Sequence, residues 1–245
     1  MNQIIEALYQ RKSVRVFTER EITKDERDLI INSALQAPTA GNLYLYSIIE
    51  VSDQRLKEEL AVLCDNQAFI AEAKLVLIFL ADYQKYYNLY KIAVNEDVEK
   101  PKLGDLMLAT ADAVIAAQNS VVAAESLGIG SCYIGDILEN YEKVRALLQL
   151  ADFTFPACML VYGYPTQQQI DRVKPRRFKA EDLVFENRYQ EKTAAEYDKM
   201  YKGQNENYEY ANVARKLHDI KYNVEFRKEM NRSAELYLKK WQAHE

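Results

Sequence analysis

Histidine is nearly absent from this chain of 245 residues, which has only His218 and His244. A Ser-His-Asp triad or a histidine-rich metal site therefore lacks the side chains that it needs. The three cysteines, Cys64, Cys132 and Cys158, are widely separated and form no Cys-x-x-Cys pair. This spacing argues against a zinc ribbon or a disulfide framework and favours a reducing compartment, the cytoplasm.

The chain also lacks an excess of positive charge. Its 32 Lys and Arg residues are outnumbered by 37 Asp and Glu residues, which gives a net charge of −5. A chain without a basic footprint is a poor binder of nucleic acid or of an anionic membrane. Residues 1–13 lack the apolar core of a signal peptide. The longest apolar stretch, residues 103–127, is interrupted by polar side chains that argue against a membrane span, namely Asp105, Asp112, Gln118, Asn119 and Glu125. We expect it to form one long helix, buried on most sides.

Seven glycines and five prolines leave few breakpoints in the chain. Apolar residues at helical spacing predict a short helix through Ile4, Ile5 and Leu8, and a second helix capped by Thr23 with Glu26 three residues later. Strands are predicted at residues 47–51, 75–80, 132–134 and 158–162, the second of them buried on both faces. Alternating strands and helices predict an α+β or α/β core of residues 1–190. Residues 191–245 then form a helical extension, either an excursion or a small second domain.

Two basic clusters stand out against the acidic composition. Residues 11–15 read Arg-Lys-Ser-Val-Arg, and residues 172–179 read Arg-Val-Lys-Pro-Arg-Arg-Phe-Lys. Guanidinium groups bind phosphate oxygens bidentately, and a serine hydroxyl adds a donor. The clusters are therefore either two halves of a site for a phosphate monoester, or a solvated basic run and a surface loop.

The glycines around residue 130 resemble a dinucleotide-binding motif only superficially. A third glycine would fall at Tyr133, and Gly128 and Gly130 follow a helix and precede a strand, the reverse of the Rossmann order. Gly128 is instead predicted to end the long helix in a left-handed cap, and Gly135 to let backbone approach a flat or bulky group. No GxxxxGK[ST] motif is present, which excludes a P-loop ATPase. Residues 37–44, Ala-Pro-Thr-Ala-Gly-Asn-Leu-Tyr, form either a ligand-contacting loop or an ordinary helix-to-strand connection.

Taken together, these segments resemble the FMN-dependent nitroreductase and NAD(P)H:flavin oxidoreductase superfamily. The likeness is greatest to its NADPH-dependent, oxygen-insensitive nitroreductase and flavin-reductase branch. Residues 11–15 resemble the (R/H)-(R/K)-S-x-R opening of that family, and residues 38–42 resemble its P-S/T-x-x-N loop. Gln67 before the strand that ends at Asp82, the turn at residues 133–135, and the segments 174–177 and 186–189 also resemble family motifs in order and spacing.

The resemblance implies the α+β nitroreductase fold, with a central, mainly antiparallel sheet flanked by helices. It also implies an intertwined homodimer with FMN at the subunit interface, against which the helix at residues 103–127 would pack. Residues 1–190 would be the FMN-binding core, with Arg11, Lys174 and Arg177 on the phosphate. The implied FMN contacts are Arg11, Lys12, Ser13, Arg15, Thr39, Asn42, Gln67, Tyr133, Ile134, Gly135, Asp136, Lys174, Arg176 and Arg177.

The implied activity is hydride transfer from NADPH or NADH to the flavin, and then reduction of a nitroaromatic, a quinone or free flavin by a ping-pong mechanism. No catalytic side chain is expected, because the flavin carries the chemistry. Two alternatives stay open. One is a superfamily member with other flavin chemistry, such as a dehalogenase, and the other is a flavin-binding protein without turnover.

The chain departs from the family pattern at three places. Tyr44 stands where a glutamine is common, and Asp136 replaces the second glycine of the flavin-facing turn. Lys202 lies where the resemblance puts a cation that contacts the 2′-phosphate of NADPH, but residues 205–207 are Asn-Glu-Asn rather than basic. Lys202 either reads that phosphate or simply ends a solvated helix, where a cation suits the helix dipole.

Overall fold

The computed structural model describes residues 2–94 and 97–242, so His244 lies outside the described residues. The chain divides into two compact units. The first runs up to Arg172 and takes up the chain again from Glu229, and the second is Val173–Lys228. The functional division between residues 1–190 and 191–245 stays a prediction.

Four antiparallel strands form the sheet of the first unit, in the order β1-β2-β4-β3. They are β1 (Tyr46–Glu50), β2 (Leu75–Asp82), β3 (Gly130–Ile134) and β4 (Thr154–Gly163). Each strand lies where an apolar run predicted one, and every residue of β2 is buried. An antiparallel sheet with helices around it confirms the α+β fold class.

Helices cover both faces of this sheet. They are α1 (Gln3–Gln10), α2 (Lys24–Leu35), α3 (Gln54–Leu63), α4 (Phe69–Glu72), α5 (Gln84–Ala93), α6 (Leu103–Ser126), α7 (Tyr141–Leu147), α8 (Gln167–Asp171) and the end of α12 (Glu225–Leu238). Leu77 and Phe79 of β2 pack in a core with α2 and α6, while Val76 and Ile78 pack in a second core with α3 and α7. The two cores follow from the alternation of side chains along a strand.

Local capping signals in the sequence are confirmed. Thr23 and Glu26 form the predicted capping box, with the Thr23 N–H donating to Glu26 Oε2 at 2.8 Å and the Glu26 N–H donating to Thr23 Oγ1 at 3.3 Å. Gly128 ends the α6 region with φ of +72°, the left-handed conformation expected of it.

The prediction that α6 is buried on most sides is wrong for the single chain. Small side chains such as Ala113 and Ala117 are fully buried against the sheet, whereas Met107 is 75% exposed. The other large apolar residues exposed on this helix are Leu103, Leu108, Val114 and Ile115. Length and hydropathy alone would let α6 cross a membrane. Its inner face, however, is part of the core of the first unit.

The second unit is helical, as its sequence predicts. It contains α9 (Ala180–Leu183), α10 (Ala194–Gln204), α11 (Tyr210–Leu217) and the beginning of α12. Thr193 caps α10 through a capping box with Glu196. Phe178 and Tyr201 pack edge to face with ring centroids 5.6 Å apart.

Candidate functional site

The first basic cluster lies along the edge of the sheet, directly after α1. Ser13 pairs with Ser131 of β3 as an isolated parallel bridge, and the Val14 N–H donates to the Ser131 carbonyl at 2.9 Å. Val14 lies over Gly130, and Phe17 lies over Gly163 in the same way. Two glycines without side chains therefore let this extended segment lie directly on β3 and β4, and fix where its cations begin.

The guanidinium group of Arg11 has donor atoms without a hydrogen-bond acceptor. Its Nε and NH2 atoms are buried and have no hydrogen-bond partner, and its Cζ lies 5.8 Å from the ring centroid of Tyr133. A buried charged donor without an acceptor is costly, which makes this position suited to an anionic ligand.

Lys12 and Arg15 have protein contacts of their own. Lys12 Nζ donates to the carbonyl of Ile170 at 2.6 Å and also to that of Arg172. The Arg15 guanidinium lies 6.0 Å from the ring centroid of Phe69. Lys12 thus holds the end of α8 against this segment, and its contact with FMN stays a prediction, as do those of Ser13 and Arg15.

The turn after β3 brings four further predicted residues together. Ile134 is buried, and Gly135 leads into a 3-10 turn, Asp136–Leu138. Gln67 Nε2 donates to Asp136 Oδ2 at 2.6 Å and to the carbonyl of Cys64 at 2.8 Å. A Cβ placed on Gly135 would meet no atom within 4 Å, so the space beside this turn is open.

The side chain that organises the 37–45 loop is Asp112 of α6, which sequence reasoning missed. It is 3% exposed and accepts hydrogen bonds from Thr39 Oγ1 at 2.5 Å, from the Ala40 N–H at 3.1 Å and from the Leu45 N–H at 3.2 Å. A lone carboxylate on the inner face of an apolar helix was the available signal, because such a group needs donors. In the sequence alone, Asp112 stands out only as a polar interruption of the apolar stretch.

Asn42 lies in this loop with φ of +58°, between Gly41 and Tyr44, which also have positive φ. Asn42 is exposed, whereas the Thr39 hydroxyl is engaged by Asp112 and accepts from the Tyr44 N–H at 2.8 Å. Thr39 therefore has a structural task, and its contact with a ligand stays a prediction.

The cysteines near the site are neutral thiols. Burial raises the pKa of Cys132, although Arg15 and Ser13 lie beside it and favour the thiolate. Burial also raises the pKa of Cys158 to about 12 and that of Cys64 further. A thiol with a raised pKa is a poor nucleophile, so these side chains serve packing.

The remaining predicted residues, Lys174, Arg176, Arg177 and Lys202, lie in the second unit. Lys202 forms an ion pair with Asp198 at 2.8 Å, which raises its pKa, and Arg176 NH1 donates to the Gln204 carbonyl at 2.9 Å. A cavity of about 830 Å³ opens here. Its lining is Pro175, Arg176, Lys202, Gln204, Asn205, Glu206 and Tyr208.

The antiparallel sheet under the long helix α6 defines an α+β protein, and two buried donors of Arg11 without acceptors lie at the edge of that sheet. Comparison with known proteins gives the family. The chain belongs to the Nitroreductase family, whose model matches residues 8–164.

Relatives and solved structures agree with this assignment. The chain is 36% identical over 192 residues to an FMN reductase (NADPH) of Bacillus subtilis, covering 77% of this chain and 75% of the relative. It is 35% identical over 201 residues to an oxygen-insensitive NADPH nitroreductase of Salmonella typhimurium, covering 81% and 80%. The structure of an NADPH:FMN oxidoreductase from Vibrio harveyi complexed with NAD+ matches with a TM-score of 0.79 and 30% identity, over 97% of this chain and 98% of that one.

Proposed function

We propose that this protein is an NADPH-dependent oxidoreductase with FMN as its cofactor, which reduces small acceptors such as nitroaromatics, quinones or free flavin. The names and coverage of the relatives support this activity. The relatives, which are named as reductases, support it over a flavin-binding protein without turnover and over a dehalogenase.

The observation that carries the proposal is that two donor atoms of the Arg11 guanidinium, Nε and NH2, are buried and lack an acceptor. FMN ends in a phosphate monoester, which supplies charged acceptor oxygens. Arg11 would bind that phosphate, with Ser13 and Arg15 at the phosphate or the ring edge. Gln67 and the backbone of Gly135 and Asp136 would face the flavin ring, for which the open space beside Gly135 leaves room.

FMN, when bound, supplies the redox chemistry by taking a hydride from the nicotinamide and passing the electrons to the acceptor. The chain's own residues bind and orient. The Asp112 carboxylate fixes the loop that carries Thr39 and Asn42, and the β3 edge fixes the basic segment. A general base is not required of the protein, which agrees with its having only two histidines.

We further propose that Lys202 contributes to a preference for NADPH over NADH. Lys202 and Arg176 line one cavity with Tyr208, and this set offers two cations and an aromatic ring to a nucleotide. Asp198 competes for the lysine, because it already pairs with it at 2.8 Å. Lys174 and Arg177, from the same basic segment, are proposed to complete the phosphate site.

A homodimer in the cytoplasm is the proposed assembly and location. One side of α6 is apolar and exposed, and Met107 is its most exposed residue. An exposed apolar surface of this kind favours association with another protein. A second copy of the chain would cover it and would bring the FMN site to the interface, as in the arrangement that the sequence resemblance implies.

Identification of the bound cofactor tests the proposed function most directly. Heating the purified protein should release FMN, identified by chromatography, and NADPH added anaerobically should bleach the bound flavin. The variant Arg11→Ala should bind FMN roughly 10- to 150-fold more weakly, since it loses one charged hydrogen bond. Arg55→Ala, at an exposed position of α3, is the matched control. Recovery of FAD, or no flavin bound after reconstitution, would overturn the proposal.

A further inference from the structure

Glu139 is a buried carboxyl group directly after the turn that the flavin is proposed to face. It follows the 3-10 turn Asp136–Leu138 and is only 5% exposed. Its Oε1 atom has no hydrogen-bond partner. A buried carboxylate in that state lacks the donors that ionised oxygens require.

The groups that face Glu139 are acidic or neutral. Asp136 is its hydrogen-bonding neighbour, Asp65 follows α3, and Glu229 lies on α12. The Cys64 thiol faces both Asp136 and Glu139, and burial keeps it neutral. Three parts of the first unit, namely the 3-10 turn, the end of α3 and α12, thus bring carboxyl groups and a thiol to one place.

The nearby cation is already paired elsewhere. Arg232 binds Glu229 at 2.8 Å and Glu142 at 2.9 Å, and Glu229 also accepts from the Asn140 N–H at 3.1 Å. These bonds hold the pKa values of Glu142 and Glu229 at about 2, so both are ionised. Glu229 therefore adds negative charge beside Glu139 and offers it no donor.

Burial, together with this negative charge, raises the pKa of Glu139 to about 7. Its protonated form supplies the hydroxyl that can donate to Asp136. Asp136 in turn accepts from Gln67 at 2.6 Å. Protonated Glu139 would therefore extend this pair to a chain of three hydrogen-bonded side chains that ends at the proposed flavin edge.

We propose that Glu139 is a positioning residue that shares one proton with Asp136 at neutral pH, and that loss of this proton adds one negative charge to the flavin edge of the site. The proton comes from and returns to solvent. The protonated pair holds the Asp136 carboxylate against Gln67, whereas the fully ionised pair repels. The link to the flavin rests on the proposed function, but the shared proton does not.

Infrared spectroscopy of the apoprotein tests the shared proton directly. The wild type should show the carbonyl stretch of a protonated, buried carboxylic acid that disappears between about pH 6 and 8. Glu139→Gln should lack this band, while Glu59→Gln, which changes an exposed carboxyl on α3, should keep it. Absence of the band at pH 6, or its persistence in Glu139→Gln, would overturn the proposal.

A second measurement tests the link to the flavin. In FMN-loaded protein, the midpoint potential of the wild type should become more negative relative to Glu139→Gln as the pH rises from 6 to 8, because the added negative charge opposes reduction. Glu59→Gln should follow the wild type. Equal potentials at all pH values would overturn the link alone. Failure to load FMN would count against the proposed function, and the infrared result on the apoprotein would still stand.

Discussion

Val14 lies so close over Gly130 that a Cβ at residue 130 would be 2.5 Å from Val14 Cγ2 and 2.8 Å from its Cβ. The contact fixes the segment that carries Arg11 and Arg15, because residues 13 and 14 also bond to Ser131 of β3. The position of the basic cluster therefore depends on a glycine in the neighbouring strand.

Gly130→Ala should lower the free energy of unfolding by about 1–3 kcal/mol, since the new methyl group must displace a branched side chain from the edge of the sheet. Urea unfolding measures the change. FMN affinity should fall at the same time, because the displaced segment carries Arg11. The matched control is Gly104→Ala in α6, where a Cβ would meet no atom within 4 Å. A Gly130→Ala variant with both properties unchanged would contradict this account of the segment.

The sequence predicts that Gly128 caps a helix, because a glycine directly after a long helical run readily adopts the left-handed conformation that ends a helix. It could not predict the task of Gly130, which depends on contact with Val14, more than a hundred positions earlier in the chain. Strands such as β2 were likewise predictable from their own composition. The strand order β1-β2-β4-β3 did not follow from local pattern, and the family resemblance implied only that the sheet is mainly antiparallel.

Asp112→Ala should destabilise the protein by about 2–4 kcal/mol, because it leaves the donors of Thr39, Ala40 and Leu45 without their acceptor in a buried place. Asp112→Asn keeps one acceptor oxygen and should cost less. Thermal unfolding of the apoprotein checks the order of the two variants. Equal stability of Asp112→Ala and wild type would show that the loop does not depend on this carboxylate.

The role of Asp112 also could not be predicted from the local sequence pattern. A carboxylate within residues 103–127 is recognisable as an interruption, but its partners lie in the loop before β1. The same limit explains the error over the burial of α6. An apolar helix is predicted to be buried, yet the sequence does not say whether its own chain or another one covers Met107.

A charge on the open side of α6 should prevent association. We expect wild type to sediment at micromolar concentration with about twice its chain mass of 28.4 kDa, and Met107→Asp combined with Val114→Asp to sediment as a monomer that retains less FMN. Val62→Asp, at an exposed apolar position of α3, is the control and should stay dimeric. A wild-type monomer that holds FMN tightly would contradict the interface proposal.

The preference for NADPH over NADH should change in opposite directions when Lys202 and its partner Asp198 are substituted. Lys202→Ala should reduce the ratio of kcat/KM for NADPH to that for NADH several-fold. Asp198→Asn should raise the ratio, since it frees the ammonium group from its ion pair at 2.8 Å. Lys199→Ala, one turn earlier on α10 and also exposed, is the control. An unchanged ratio in Lys202→Ala would mean that this lysine only stabilises the end of its helix.

Stability should depend on pH through Glu139. Its pKa rises from an ordinary value of 4.5 in the unfolded chain to about 7 in the folded protein, so between these values the folded state binds more protons. The contribution of this group to stability is therefore complete below pH 4.5 and is lost as the pH rises towards and through 7. Glu139→Gln carries no such loss and should be more stable than wild type by about 1–3 kcal/mol at pH 8, with a smaller difference at pH 5.

Denaturant unfolding of the apoprotein at pH 5, 6, 7 and 8 measures this difference without any contribution from cofactor binding. Glu59→Gln should follow the wild type at each pH, because its side chain is exposed. Glu142→Gln should behave in the opposite way and be less stable at every one of these pH values, since it removes an ionised partner of Arg232. A difference between Glu139→Gln and wild type that shrinks as the pH rises would mean that Glu139 is stabilised as a carboxylate, and the shared proton would have to be abandoned.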